Sequence, residues 1–385
     1  MSVQSYRIPR IQRGLVAISP GSLALKPVPV PRVAPDEVLV LVAAVALNPS
    51  DHKLLDQSTT VGAISGADFA GTVVRIGSGT SDDDKHDLKL GDRVLAFVFG
   101  ANPGSPGNGA FAQYVTVPAR LCIKIPDKSK YDFAAAASMA MGLATAGLIF
   151  RQLGLRLDLR DQDRKEQDVP TANEGDYVLV HGGATSTGTI LLQILRLAGY
   201  TPIATCSKSN QALVKSRGAV VSFDYNSPTI RDDIREYTSN GLRFAVDCFG
   251  TQETMTLCYG VLGHQEHQPG HNTILCNKYI ALEQYPRQLT IRRRDVAHEW
   301  ILAWTVQGKE VKLAGAYYRP LGPEVRDDRK YGETWARKME QLLEDGRLEP
   351  HPLEVCREGG LSAIVPKLDQ LRKGVVRGKK LVFWT

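Results

Sequence analysis

Tyr177-Val178-Leu179-Val180-His181-Gly182-Gly183-Ala184-Thr185-Ser186-Thr187-Gly188 reads as a buried strand, a tight turn and the start of a helix. A turn of this kind lets backbone approach a pyrophosphate and points helix N-terminal amides at its negative charge. Gly182, Gly183 and Gly188 can supply the room. The spacing departs from GxGxxG, because Thr185 and Ser186 stand where a glycine usually admits the phosphate; hydroxyl donors can replace the bare backbone there. An ordinary strand-to-helix turn has the same outline, so the neighbouring sequence has to decide.

A second strand, Pro202-Ile203-Ala204-Thr205-Cys206, ends about twenty residues after the turn, where an NAD enzyme places an acid for the ribose hydroxyl. Here the place reads Ser207-Lys208-Ser209-Asn210. A cation with two hydroxyls and no carboxylate suits a 2′-phosphate, and hence NADPH, with Arg217 and Tyr225 able to add to the pocket. A solvated loop lysine is the plain alternative. The alternation continues through a helix over 187–198, a helix over 210–217, and the strands VVSFDY and RFAVDCFG, which predicts a doubly wound parallel sheet.

Upstream, from Leu15 to Gly109, short strand-like runs (VLVLVAAVAL, GTVVRIG, RVLAFVFG) are separated by Pro, Gly and Asp, which predicts a β-rich domain. The run FAAAASMAMGLATAGLIF, from Phe133 to Phe150, is long enough for a bilayer, but its Ala, Gly, Ser and Thr suit a helix packed inside protein. A charged stretch over 156–175 marks a surface loop or boundary. Helices over Glu333–Asp345 and Gly360–Lys373 precede a last strand, KKLVFWT, expected to return to the first domain. The expected division is a β-rich domain over 1–170, a nucleotide domain over 171–310, and a return over 311–385.

Composition bounds the function. At 385 residues the chain exceeds one core, and 43% hydrophobic against 23% charged residues excludes wholesale disorder. A net charge of +6, with basic residues scattered except for Arg292-Arg293-Arg294, argues against nucleic acid. Six cysteines with no CxxC pair suggest neither a zinc ribbon nor a disulfide framework, and fit a reducing compartment. The N-terminal MSVQSYRIPRIQRG lacks the apolar core of a signal peptide, so a cytoplasmic protein off the membrane is expected.

Ala46-Leu47-Asn48-Pro49-Ser50-Asp51, Gly66-Ala67-Asp68-Phe69-Ala70-Gly71 and Leu90-Gly91-Asp92-Arg93-Val94, followed by the nucleotide section, together resemble the medium-chain dehydrogenase/reductase superfamily. The resemblance spans nearly the whole chain and implies a GroES-like domain with a Rossmann domain inserted before its last segment. The zinc-dependent branch is not matched: Ala67 stands where the ligand histidine would be, Asn48 near the first cysteine's place, and 97–111 holds no cysteine. No metal is therefore expected, and hydride transfer to an activated double bond remains.

Within that branch, Asn48-Pro49-Ser50-Asp51-His52-Lys53, Thr145-Ala146-Gly147-Leu148, Lys215-Ser216-Arg217-Gly218-Ala219, Phe223-Asp224-Tyr225 and Leu343-Glu344-Asp345-Gly346-Arg347-Leu348 resemble the trans-acting enoyl reductases of fungal polyketide clusters. This implies an NADPH-dependent enoyl reductase whose substrate rides on the acyl carrier domain of a polyketide synthase, or of a polyketide synthase–peptide synthetase. It also implies that Lys53, Ser50 and Thr145 are catalytic and that Ser50, Asp51, His52, Lys53, Leu282, Glu283, Val375 and Val376 join the turn residues Ala184, Thr185, Ser186 and Thr187 around the cofactor. The acyl chain would lie against Thr145, Ala146, Gly147, Leu148, Ile149, Phe150, Arg151 and Gln152, and against Ala303, Trp304, Thr305, Val306 and Gln307. Without the resemblance, Asn48-Pro49-Ser50-Asp51 is an Asx or N-cap turn opening a short helix, and Thr145 a packing residue.

A reductase of free quinones or enones, or a silent binding protein of the same fold, would share most of these features. His264, His267 and His271 lie in a polar run that reads as an exposed loop rather than a metal site. The three arginines at 292–294 read either as a basic rim that steers an acidic carrier domain or as a solvated turn. The charged, Pro- and Gly-rich segment after Trp304, where an edge strand would need an apolar pattern, predicts a monomer.

Overall fold

The computed structural model describes residues 7–79, 88–159, 175–263, 277–286, 290–291 and 293–385. The chain forms two compact units, Met1–Ala144 with Ala303–Thr385, and Thr145–Leu302. The change-over thus falls at 144/145 and 302/303, not at 170 and 310 where the composition shifts.

The first unit is the GroES-like domain. Strands β1 (Ile11–Ser19) and β2 (Ser22–Pro29) pair as an antiparallel ribbon. After β3 (Glu37–Ala46), helix α1 (Pro49–Gln57) leads to β4 (Asp68–Ile76), β5 (Arg93–Phe97), β6 (Tyr114–Pro118) and β7 (Ile123–Lys124). β3 pairs with both β4 and β6, and its Val- and Leu-rich sequence is buried along nearly its whole length. Leu15, Val38, Val40, Phe69, Val94, Phe111 and Phe383 meet in one core.

The apolar run is two helices instead of one, α2 (Phe133–Ala137) and α3 (Ala140–Leu153). Asp132 caps α2 by accepting from Ala135 N, and the Ser138 hydroxyl donates back to the Ala135 carbonyl at 2.6 Å, a side-chain bond that competes with the helix ladder. The stretch Phe133–Leu153 is long and apolar enough for a bilayer, yet 89% of its apolar window is buried in the protein, as its small residues predict.

The second unit is a Rossmann domain. Strand β8 (Tyr177–His181), helix α4 (Ser186–Leu197), β9 (Thr201–Cys206), α5 (Gln211–Ser216), β10 (Val221–Asp224), α6 (Ile230–Tyr237), β11 (Phe244–Asp247), α7 (Gln252–Val261), β12 (Asn277–Ala281) and β13 (Val296–Trp300) follow in order. Among the described residues the sheet order is β10-β9-β8-β11-β12-β13, with every pair parallel. The order reverses between β8 and β11, and open α/β sheets bind ligands outside the strand ends at such a point. Leu179, Ile203, Ala245, Met255 and Tyr279 share the core.

The tail rejoins the first unit. Helix α8 (Pro323–Glu344) starts ten residues before Glu333, with Pro323 at its first turn; its leading half is charged all round and hides the periodicity. The helix expected over Gly360–Lys373 opens as a 3-10 turn, Gly360–Ala363, before α9 (Ile364–Arg372). Strand β14 (Leu353–Cys356) pairs with β15 (Lys380–Trp384), and β15 lies antiparallel to β3, so the last strand does close the first sheet.

Candidate active site

The glycine-rich turn stands at the C-terminal end of β8. Gly182 has φ +80°, and a Cβ there would come within 2.6 Å of the Phe249 ring. A Cβ on Gly183 would meet Ala204 Cβ at 2.8 Å, and one on Gly188 the Gly182 carbonyl oxygen at 2.5 Å. These glycines therefore serve close packing of helix on strand. Thr185 is the N-cap of α4 and accepts from Gly188 N at 3.0 Å. Ala184, Thr185, Ser186 and Thr187 are half-buried, and the Ser186 hydroxyl is enclosed with no hydrogen-bond partner. An enclosed, unpaired donor at the start of a twelve-residue helix fits a phosphate group.

The second cluster sits where β9 and β10 end. Ser207 Oγ lies 3.0 Å from Ser209 Oγ and accepts from Asn210 Nδ2, while Lys208 is exposed. Tyr225 is 49% exposed and anchors to the same end, because its amide donates to the Cys206 carbonyl. The carboxylate at this end, Asp224, stands one strand further out and accepts from Asn226. Arg217 ends α5 and is half-buried. Two hydroxyls and an ammonium, beside a half-exposed tyrosine, are the donor types that suit an anion.

Several residues at the switch point carry no motif. Asp247 is fully buried and takes four donors: Phe249 N at 2.9 Å, Gly250 N at 3.1 Å, Thr254 Oγ1 at 2.7 Å and Tyr279 Oη at 2.8 Å. It thereby shapes the loop that presents Phe249, 46% exposed, edge-on to His181. His181 Nδ1 pairs with Thr205 Oγ1 at 2.7 Å, and burial holds its imidazole below the usual range. Burial pushes the Tyr279 phenol far up. Leu282 and Glu283 follow β12, with Leu282 N donating to the Asp247 carbonyl and Glu283 backbone packed on Gly250. An acid closing an apolar strand, VDCFG, is the trace that sequence offers of this hub.

In the first unit, Asn48 is the N-cap of α1, so the turn reading from residues alone was sound. Asn48 N donates to Asp51 Oδ2 at 2.7 Å, which turns the Asp51 carboxylate inward. Burial, opposed by that bond, pushes the Asp51 carboxyl up to about 7. His52 leans towards Asp56, which Arg372 holds with two hydrogen bonds; desolvation keeps this histidine below its ordinary value. Ser50 and Lys53 are half-buried, and Ser50 Oγ touches Met141 Sδ at 4.0 Å. Beneath this turn Lys380, Asn48 and Asp68 form a closed buried triangle. Asn48 is thus bonded to a lysine, and among the described residues no group of three or more His, Cys, Asp or Glu is placed to hold a metal.

The two stretches of the expected acyl wall belong to different units. Thr145 is 7% exposed on α3, Ala146 to Phe150 are buried, and Arg151 and Gln152 are half-buried near the helix end, where Lys278 Nζ takes the Gln152 and Leu153 carbonyls. Ala303–Gln307 is a 3-10 turn in the first unit: Trp304 stacks on Phe99 with centroids 4.5 Å apart, and Gln307 Nε2 donates to the Phe97 carbonyl. Val375 is exposed and Val376 packs on the first core.

Three expectations need correction or fall away. Arg293 is no rim cation: its guanidinium donates to the carbonyls of Tyr259, Leu262 and Gly263 and pairs with Asp295, closing the end of α7. Arg292 and the histidines at 264–271 lie outside the described residues. Among the described residues the edges of the Rossmann sheet are β10 and β13, so the segment after Trp304, which belongs to the other unit, is neither of them.

Residues 34–127 match the alcohol dehydrogenase GroES-like domain family and 186–267 the zinc-binding dehydrogenase family. The trans-enoyl reductase caaB of Aspergillus niger is 41% identical over 379 residues, covering 98% of each chain. A trans-enoyl reductase of Gibberella fujikuroi is 42% identical over 354 residues, covering 92% of this chain and 93% of its own. Among solved structures, an alcohol dehydrogenase superfamily protein of Novosphingobium aromaticivorans has the same fold, with a TM-score of 0.72 at 20% identity, covering 97% of this chain and 99% of its own. A family of nicotinamide-dependent oxidoreductases, a matching two-unit fold and likeness from end to end lead to one conclusion: the chain belongs to the fungal trans-enoyl reductases of the medium-chain dehydrogenase/reductase superfamily.

Proposed function

We propose that this protein reduces the α,β double bond of enoyl thioesters held on the acyl carrier domain of a polyketide synthase, or of a polyketide synthase–peptide synthetase, using NADPH. The observation that carries the reading is the end-to-end likeness to a trans-enoyl reductase, which covers both units and not one module alone. The choice of NADPH rests on Ser207, Lys208, Ser209 and Tyr225 at the strand ends, where the 2′-phosphate would be held. Ala184, Thr185, Ser186 and Thr187 would hold the pyrophosphate.

Held by these residues, a reduced nicotinamide would supply a hydride to the β-carbon. Charge then grows on the thioester oxygen, and the protein's task is to position and to stabilise that charge. Lys53 offers an ammonium, and Ser50 and Thr145 offer hydroxyls, for this oxygen or for the ribose. The α-carbon then takes up a proton, from solvent or from a side chain beside it. We assign no metal to the reaction, since the Asn48 side-chain oxygen and Asp68 Oδ2 already accept from Lys380, and Asp68 Oδ1 from the Met141 amide; stoichiometric zinc in the purified protein would refute this. We read the protein as a monomer, because β13, one edge of the sheet among the described residues, is short and exposes His298 and Glu299; a scattering mass of two chains would refute it.

Turnover decides the main reading. The protein should oxidise NADPH with crotonyl thioester, faster still with the thioester on a carrier domain, and far more slowly with a free quinone. A preference for the quinone makes it a reductase of free molecules, and failure to bind NADPH makes it a silent member of the fold.

A further inference from the structure

We infer that Asp68 and Lys380 are positioning residues for the reductase, a buried ion pair that fixes the helix start bearing Ser50 and Lys53. The inference rests on the enoyl-reductase reading for those two side chains.

The pair comes from opposite ends of the chain. Asp68 opens β4 and is fully buried, and Lys380 opens β15 with its side chain 4% exposed. Lys380 Nζ donates to Asp68 Oδ2 and to Asn48 Oδ1, each at 2.7 Å, and Asn48 Nδ2 donates to Asp68 Oδ2 at 2.9 Å. Asp68 Oδ1 is then left for one donor, the amide of Met141 in the first turn of α3, at 2.7 Å. One carboxylate thus holds the cap of α1 and the start of α3 together.

Two features set this apart from a staple of the core. A buried ion pair adds little stability over apolar side chains of similar size, so stability alone gives no reason for it. Its value lies in direction, because charge-assisted bonds fix both angle and distance. Asn48 is locked on both sides: its side chain binds the ion pair and its amide binds Asp51. Its orientation sets the first turn of α1, with Ser50 two residues on and Lys53 one turn further. Met141, held by Asp68, is also the residue that touches Ser50. The break at Ser138 frees the Met141 amide for this bond, since the helix begins anew just before it.

The test replaces the pair by apolar groups, Asp68→Leu with Lys380→Met, in the full-length protein. This removes both charges together and leaves neither ion unpaired. Positioning predicts a kcat for NADPH-dependent reduction of crotonyl thioester, counted per NADPH-binding site, at least tenfold lower with KM within about threefold. It also predicts that amides over 48–53 exchange with deuterium at least tenfold faster. Asn48→Ala, which keeps the ion pair and cuts its link to α1, should show the same two effects and carries the test if the double variant does not fold. A merely structural pair lowers the melting midpoint but leaves kcat per site and exchange over 48–53 unchanged, and that result overturns the inference. Should the unaltered protein not reduce the thioester, the reading of function fails, and exchange over 48–53 alone decides on the pair.

Discussion

Replacing Gly188 by alanine puts a methyl group 2.5 Å from the carbonyl oxygen of Gly182 and 2.9 Å from Gly183 C and Cα. These are backbone atoms of a pinned turn. Gly183 N donates to the Thr205 carbonyl at 3.0 Å, Thr185 N to the Gly182 carbonyl at 2.9 Å, and Gly188 N to Thr185 Oγ1 at 3.0 Å. A neighbour held on three sides cannot yield by rotation, so α4 has to lift from β8. Overpacking of this kind costs about 1–3 kcal/mol, against which alanine's better helix propensity returns at most about 1 kcal/mol. The net loss is of order 1–2 kcal/mol, or about 2–8 °C in the melting midpoint for a unit of this size.

The lifted helix also carries Thr185, Ser186 and their amides away from the place proposed for the pyrophosphate, so on that proposal NADPH should bind at least tenfold more weakly, a loss of about 1.4 kcal/mol or more. Thermal melts without ligand and fluorescence titration with NADPH read the two effects apart. An unshifted midpoint would show that the close approach of helix and strand is not real. A lowered midpoint with unaltered affinity would place the pyrophosphate somewhere else.

Lys208→Asp should weaken NADPH binding by about 1–3 kcal/mol while sparing NADH, with the gap shrinking at high salt; equal affinity for both cofactors in the unaltered protein would remove the basis for this. Asp51 is protonated up to about 7 in the folded protein but titrates near its ordinary carboxylate value when unfolded, so its stabilising contribution is complete at low pH and is lost as pH climbs from about 4 to about 7. Asp51→Asn should therefore gain in melting midpoint relative to the unaltered protein as pH rises from about 4 to about 7 and hold that gain above it, and parallel curves would refute the assignment. Arg293→Met should lower stability by about 2 kcal/mol or more, since three carbonyls lose their donor, and should reduce turnover of free and carrier-bound thioesters alike. A salt-dependent loss confined to the carrier-bound substrate would instead restore Arg293 as a docking residue.

The parts of this molecule that sequence declares are those whose reason is local. Val178 to His181 followed by two glycines declares a strand, a turn and a helix, because the apolar run, the positive φ of Gly182 and the cap at Thr185 are neighbours in the chain. The missing acid after Cys206 is legible for the same reason. Asp68 and Lys380 are the opposite case: 312 positions separate them, each borders an apolar strand, and each taken singly passes for punctuation at a strand end. Arg293 misleads in the same manner, since a cation beside two others reads as a basic patch until three carbonyls from the end of α7 are found around it. Asp247, between a buried strand and the loop of Phe249, shows how such cases are to be read. A charge that abuts a strand buried on both faces has no solvent to turn to, so its partner must come from elsewhere in the fold, and the burial of the strand already says that one exists.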